Sequence, residues 1–429
     1  MTTRLNKLAF TALAIVVIAM LCRNSPSGGP RSSGVISHEA YVWQRHWSEG
    51  IIESVTQNGP EFASLTVLAA EINWIENSPN LFRVAPEYET LQDINRPIGF
   101  AIRIGIYRGP FTQQGPIIEM LQGLAQSIIK EATQHSVPIS EVQLDFDCPE
   151  SKLEDYTIWV RSIEEAIQPI HLGITALPSW LDQPQCKQLF KAADRVVIQV
   201  HSIDRPDSIN SDLMLCDPNR AKLTVNKMAE FGIPFRVALP TYTYLLAFDD
   251  QGKLSGLSAE GPRPNWPKSF QTRRLPADAI LLTELVKAWR QDRPRTLQGL
   301  IWYRLPVSND RHNWRWPTLR AVINGQNLAS RLEVQAVPGQ EGLYDLFLTN
   351  DGTLDYQDKI GIEITWQKQQ LIASDALSKF RVSSFTHKSV SLEASDVNGK
   401  LAPNETIPIG WIRLSDYDEL DFQIKSNNP

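Results

Sequence analysis

Val142-Gln143-Leu144-Asp145-Phe146-Asp147-Cys148-Pro149-Glu150 is the stretch whose reading decides the fold. A short apolar run ends in two carboxylates, Asp145 and Asp147. Two positions apart on a strand, they share a side and stand roughly 7 Å apart along the chain. Pro149 then removes a backbone donor, and a helix-like segment opens at Glu150 to Asp155, so the strand stops where the acids sit. Acids at the carboxyl end of a buried strand, followed by a helix, are the arrangement of an α/β-barrel active site.

The rest of the chain repeats that unit. Strand-like runs are expected at 40–47, 64–72, 98–107, 141–147, 171–177, 195–202, 234–242 and 298–305. Between them, apolar residues recur at three and four over 115–134, 153–168, 219–231 and 277–290, a helical spacing. Eight strands alternating with helices predict an α/β fold, a (β/α)8 TIM-type barrel over residues 35–327. An open doubly wound sheet is the rival, but no G-x-G-x-x-G follows the first strand. After residue 328 the pattern changes to short runs at 332–337, 343–348, 360–366 and 407–414 with a turn at Asn350-Asp351-Gly352. These predict a small β-sandwich over 328–429.

The first 34 residues stand outside the fold. Arg4 and Lys7 precede an apolar or small run from Leu8 to Leu21, of signal-peptide length and short for a spanning helix. Cys22 follows directly, as a lipidated cysteine does, yet Leu21 stands where a lipoprotein signal has a small residue. Lipidation, a cleaved signal and an uncleaved anchor all stay open. Each implies export to the periplasm or cell envelope, with membrane contact only through this segment. Cys148, Cys186 and Cys216 remain, an odd number, and an oxidising compartment allows one disulfide without selecting its pair. No Cys or His spacing suggests zinc, so neither a metal nor another cofactor is expected.

With 429 residues, 42% hydrophobic, 21% charged and a net charge of −6, the chain has room for one large domain and a smaller one. It lacks the clustered Lys and Arg that nucleic acid requires, so no nucleic-acid partner is expected. Twelve Trp residues are many, and aromatic faces are what sugar rings stack against, although any single Trp serves equally well as core.

The order of landmarks resembles the chitinase-type glycoside hydrolase barrels. Leu144-Asp145-Phe146-Asp147 ends strand four, Gln199 and His201 lie on strand six, Leu239-Pro240-Thr241-Tyr242 with Tyr244 on strand seven, and Ile301-Trp302-Tyr303-Arg304 on strand eight. A closer resemblance is to a bacterial family of exported barrel proteins defined as a domain of unknown function, which implies the fold and no activity. Both cover roughly residues 38–325. In the chitinase pattern D-x-D-x-E the Glu is the general acid; here Asp145, Asp147 and Pro149 occupy those places, which leaves no donor. Sliding the register by two sets Gln143, Asp145 and Asp147 there, with Asp147 as acid and Asp145 as its partner.

The resemblance implies a carbohydrate ligand and a barrel mouth with named residues. Trp43 and Trp302 are expected as stacking walls, and Gln199 and His201 as partners for sugar hydroxyls. Tyr242 is expected to line the cleft, Glu71 offers a second carboxylate, and Arg103 and Arg304 are read as lining residues or as ion pairs inside the barrel. Asp145 reads alternatively as a buried, hydrogen-bonded acid, and Asp147 as an N-cap. Two functions follow: a glycoside hydrolase, or a non-catalytic glycan-binding or envelope scaffold. A purely structural partner-binding protein would have a shallow mouth without clustered aromatics.

Overall fold

The computed structural model describes residues 29–75, 78–202, 205–259, 264–356, 359–394 and 401–426. The leader with Cys22 lies outside them. The chain divides into two compact units, one running up to Ala277 and including Lys287–Leu305, the other made of Asp278–Val286 and everything from Pro306.

The first unit is a closed parallel barrel. Its strands are β1 (Ser37–Val42), β2 (Leu65–Ile75), β3 (Ile98–Ile104), β4 (Ile139–Phe146), β5 (His171–Ala176), β6 (Arg195–Gln199), β7 (Phe235–Pro240) and β8 (Leu297–Tyr303). Hydrogen bonding runs in order from β2 to β8, β8 pairs β1, and β1 pairs β2, which closes the ring. All eight coincide with expected runs. The first stops at Val42 rather than at 47, so Trp43 and Arg45 stand in the loop above it. Near-continuous apolar runs such as Ile98–Ile104 suit strands covered on both faces. Helix Pro116–Gln134 starts on a proline, whose missing N–H costs nothing there, and buries Ile118, Leu121, Leu124, Ala125, Ile128 and Ala132 on one stripe. Helix Pro218–Ala229 is capped by the Asp217 carboxylate, which accepts from the backbone of Asn219 and Arg220.

Side chains inside the barrel are stacked in levels. Near the amino ends of the strands, Arg236 on β7 donates from Nη1 to Glu39 of β1 at 2.7 Å and from Nη2 to both oxygens of Glu141 of β4 at 2.8 and 2.9 Å. Glu141 is only 1% exposed. Glycines make room for it: a Cβ on Gly99 would come within 3.0 Å of its Cγ, and one on Gly173 within 3.1 Å of its Oε2. The next level packs Tyr41, Leu68, Ala101, Val197, Ala238 and Ile301 together. Tyr41 donates to the buried Gln143 at 2.7 Å.

Two features depart from expectation. Thr243–Phe248 stands between Leu254–Ser258 and Gln271–Pro276 in a three-stranded antiparallel sheet, in a stretch to which the sequence pattern assigned no element. Cys148, Cys186 and Cys216 are all buried and free, so no disulfide joins any of them. Among the described residues no helix is long and apolar enough to cross a membrane.

The second unit contains a β-sandwich of two four-stranded antiparallel sheets. One runs Leu332–Pro338, Leu343–Asn350, Thr406–Leu414, Leu371–Ala376; the other runs Phe380–Phe385, Ser389–Ala394, Ile360–Thr365, Asp421–Ser426. Leu346, Leu348, Ile362, Ile364, Val390, Leu392 and Ile412 fill the core. The unit begins ahead of residue 328 and takes in helix Trp316–Asn324, where the Thr318 hydroxyl donates to the Thr353 carbonyl at 2.6 Å. Asn350 is fully buried at the expected turn, giving its amide to the carbonyls of Leu354 and Leu401 and accepting from Gly352 N.

Removing Arg236 leaves Glu141 charged and buried, with Arg195 Nη1 at 3.4 Å as its remaining partner. Arg236→Met is expected to cost about 3 kcal/mol, read as a lower urea midpoint at unchanged slope.

Candidate active site

The carboxyl ends of the strands surround an open pocket of about 420 Å³. Its floor and walls are aromatic. Tyr41 and Trp43 meet edge to face at 5.3 Å, and Tyr303 from β8 meets Trp43 at 5.3 Å and Tyr242 at 5.5 Å. The inserted sheet adds Tyr244, Leu257, Ser258 and Ala259.

Asp145 stands on β4 one level above Gln143, half-buried, and its Oδ1 accepts from the Thr175 hydroxyl at 2.9 Å and from Gln199 Nε2 at 3.3 Å. Burial and the neighbouring Asp147 charge raise its pKa to about 6, against the opposing pull of Thr175, Arg103 and Gln199. Asp147, just past the strand end, is exposed at the mouth; the pocket walls raise its pKa too, and Arg103 opposes them. This pair is therefore held closer to neutrality than solvent carboxylates. His201 lies with Nδ1 3.3 Å from the Tyr242 hydroxyl and its ring stacked at 5.8 Å on Tyr303. Burial lowers its pKa to about 4, so the imidazole is neutral at pH 7. Burial raises Tyr242 and Tyr244, which keeps both as phenols.

The pocket brings together Trp43, Arg103, Asp145, Asp147, Gln199, His201 and Tyr242. Trp302 is not among them. It is fully buried with its indole N–H donating to His38 Nδ1 at 3.1 Å. Alternation along β8 sends Ile301 and Tyr303 into the barrel and Trp302 outward, so Tyr303 supplies the aromatic wall expected of Trp302. Glu71 is buried beside the mouth, accepting Arg45 Nε at 2.7 Å, with Arg103 Nη1 3.7 Å away; it orients two arginines and does not line the pocket. Arg304 is buried as well. Its Nη1 donates to the Ala259 carbonyl at 3.1 Å, and its backbone N–H donates to the Thr241 hydroxyl at 2.7 Å, so it ties the inserted sheet to the barrel.

Sequence reasoning missed Tyr41, Arg45, Thr175 and Tyr303. The period-two pattern Tyr41-x-Trp43 and the Ile301-x-Tyr303 alternation carried the signal for two of them. The inserted sheet left no such trace. Among the described residues no group of three His, Cys, Asp or Glu could hold a metal ion.

Residues 108–308, from ahead of β4 to just past β8, match DUF3142, a domain of unknown function. No curated protein matches the chain. Among solved structures, the spore cortex-lytic enzyme SleL of Bacillus cereus shares 12% identity at a TM-score of 0.48, over 70% of this chain and 76% of that one. Chitinase ChiA74 of Bacillus thuringiensis shares 11% at 0.43, over 91% and 100%. A chitinase of Chromobacterium violaceum shares 13% at 0.45, over 68% and 98%.

Because the folded protein keeps the Asp145 proton up to about pH 6, while an unfolded Asp releases it near 3.8, wild-type stability falls as pH rises between those values. Asp145→Asn escapes that loss. Its melting temperature is expected to exceed wild type above pH 6, by roughly 1–2 kcal/mol of stability, and the gain to vanish towards pH 4.

Proposed function

We propose that the barrel mouth binds an oligosaccharide and cleaves a glycosidic bond, with Asp147 as proton donor and Asp145 as its partner. One observation carries this: two coupled carboxyls, both shifted towards neutrality, share an open aromatic pocket. In the proposed reaction Asp147 gives its proton to the glycosidic oxygen, and the C1–O bond breaks with its electron pair leaving on that oxygen. The positive charge developing at C1 is stabilised by the Asp145 carboxylate or by an amide of the substrate. A water molecule then adds to C1 and returns a proton to Asp147. Tyr303, Trp43 and Tyr242 supply ring faces, while the neutral His201 and Gln199 supply hydrogen bonds to hydroxyls.

Glu150 does not compete for the acid role. It opens the short helix after β4, where it accepts from Gln183 at 3.1 Å. A binding-only protein is favoured by one specific feature: Asp147 is a methylene shorter than the Glu of the chitinase-type motif.

The experiment is turnover and binding of the full-length protein on neutral and amino-sugar oligosaccharides, beside Asp147→Asn, Asp145→Asn and Asp147→Glu. Expected is a loss of turnover of at least about 100-fold in Asp147→Asn with binding kept, and a rate that falls as pH rises through the raised pKa of Asp147 and its proton is lost. Binding without turnover in wild type, with turnover gained in Asp147→Glu, would establish the scaffold instead. Export belongs to the same proposal: the Arg4, Lys7 and Leu8–Leu21 leader should carry the chain to the envelope fraction, and a cytoplasmic product would overturn it.

A further inference from the structure

Strand β2 continues past its pairing with β1 as far as Ile75 and forms an antiparallel pair with Ser78–Arg83, which sets Glu71 opposite Phe82 and Asn73 opposite Asn80. Side chains directly opposite on such a pair share a face. Three contacts fix which face looks over the barrel mouth. Arg83 reaches outward to Glu131 on helix Pro116–Gln134 at 2.7 Å. Val84, whose N–H continues the ladder to the Ala69 carbonyl, packs with Tyr41, Trp43 and Leu68 inside the barrel. Glu71 accepts from Arg45 at 2.7 Å, and Arg45 belongs to the pocket wall. Phe82 shares the parity of Val84 and the face of Glu71, so it stands on the mouth side, roughly 7 Å above Val84. It is 38% exposed, and its ring meets His46 edge-on at 6.0 Å.

We propose that this hairpin face is a second sugar subsite, with Phe82 as the stacking platform for a further unit of the oligosaccharide held in the pocket. The inference rests on the carbohydrate function proposed above and extends it past the pocket, whose lining does not include Phe82. The two surfaces are continuous: Arg45 lines the pocket, and the next residue, His46, touches Phe82. Their chemistry suits a polyhydroxylated ring. Phe82 offers an aromatic face to the C–H side of a sugar, and the exposed Asn73, Asn80 and His46 offer donors and acceptors to its hydroxyls. Along this face the two amides separate Phe82 from Ile75, which is 60% exposed. Such an alternation matches a sugar chain better than the apolar core of a protein interface. An oligosaccharide long enough to leave the pocket over β2 gains a contact that a shorter one lacks.

The test is calorimetric titration of the full-length protein, Phe82→Ala and Phe82→Tyr with ladders of neutral and N-acetylated oligosaccharides from disaccharide to hexasaccharide. Wild-type affinity is expected to rise with length. Phe82→Ala should weaken the hexasaccharide roughly fivefold to tenfold and leave the shortest ligand that binds as in wild type. Phe82→Tyr keeps the ring and should keep the gain, with melting temperatures reporting that both variants fold. Affinity that is flat with length, a rise that survives in Phe82→Ala, or a Phe82→Ala loss equal at every length would each overturn the subsite and leave binding at the pocket standing. A loss in Phe82→Tyr as large as in Phe82→Ala would overturn the stacking role. A wild-type protein that binds no member of either ladder would overturn the carbohydrate function and the subsite with it.

Discussion

Arg236, held between Glu39 and Glu141 inside the barrel, is the interaction on which the rest of the first unit depends. It reaches from β7 to β1 and β4, strands that are not neighbours in the ring, and so fixes the barrel across its interior as well as around its wall. The two carboxylates raise the guanidinium pKa above its ordinary value and keep the charge in place despite burial. The same interaction dictates sequence on other strands. Gly99 and Gly173 flank Glu141 because any side chain there would occupy the space of its carboxylate. Once this level is set, period two carries every following residue on each strand to an assigned height.

That alternation explains what could be read from the sequence and what could not. Strands buried on both faces are continuous apolar runs, and helices with a single stripe repeat at three and four, so the eight strands and the main helices were legible. The end of β1 was less so: Trp43 looks like strand, but the pairing of β1 with β2 stops at Val42 and Val67, and it became loop. Trp302 and Tyr303 differ by one position and thus by a whole face, and the larger ring drew the assignment although Ile301 already set the inward parity. The sheet over 243–276 was illegible because its strands are short and mixed in polarity. Their order depends on pairing Thr243–Phe248 with two segments that no local signal ranks. In the sandwich, Leu371–Ala376 and Asp421–Ser426 escaped for the same reason, being half-exposed strands at sheet edges.

The site inherits its chemistry from its height in the barrel. Its floor is Tyr41 donating to the Gln143 amide oxygen, a bond between neutral groups. Above them, Glu71 and the two arginines balance one another on the β1 to β3 side. Asp145 gains only neutral hydrogen bonds from Thr175 and Gln199, and these do not compensate burial. The Thr175 hydrogen bond, then Arg103 in register on the adjacent strand, hold the rise of its pKa to about 6.

Read along β4 alone, Glu141, Gln143, Asp145 and Asp147 form a graded series on one face. Glu141 is deeply enclosed and held by Arg236 and Arg195. Gln143 carries no charge and accepts from the Tyr41 hydroxyl. Asp145 keeps a carboxyl where pairing is partial, and its proton affinity rises accordingly. Asp147 meets solvent, where a proton can arrive and leave. A single strand therefore passes from an ion pair that fixes the barrel to an acid able to exchange protons. Two-residue periodicity requires that order, since a carboxylate moved one level down would lose its water and one moved up would lose its walls.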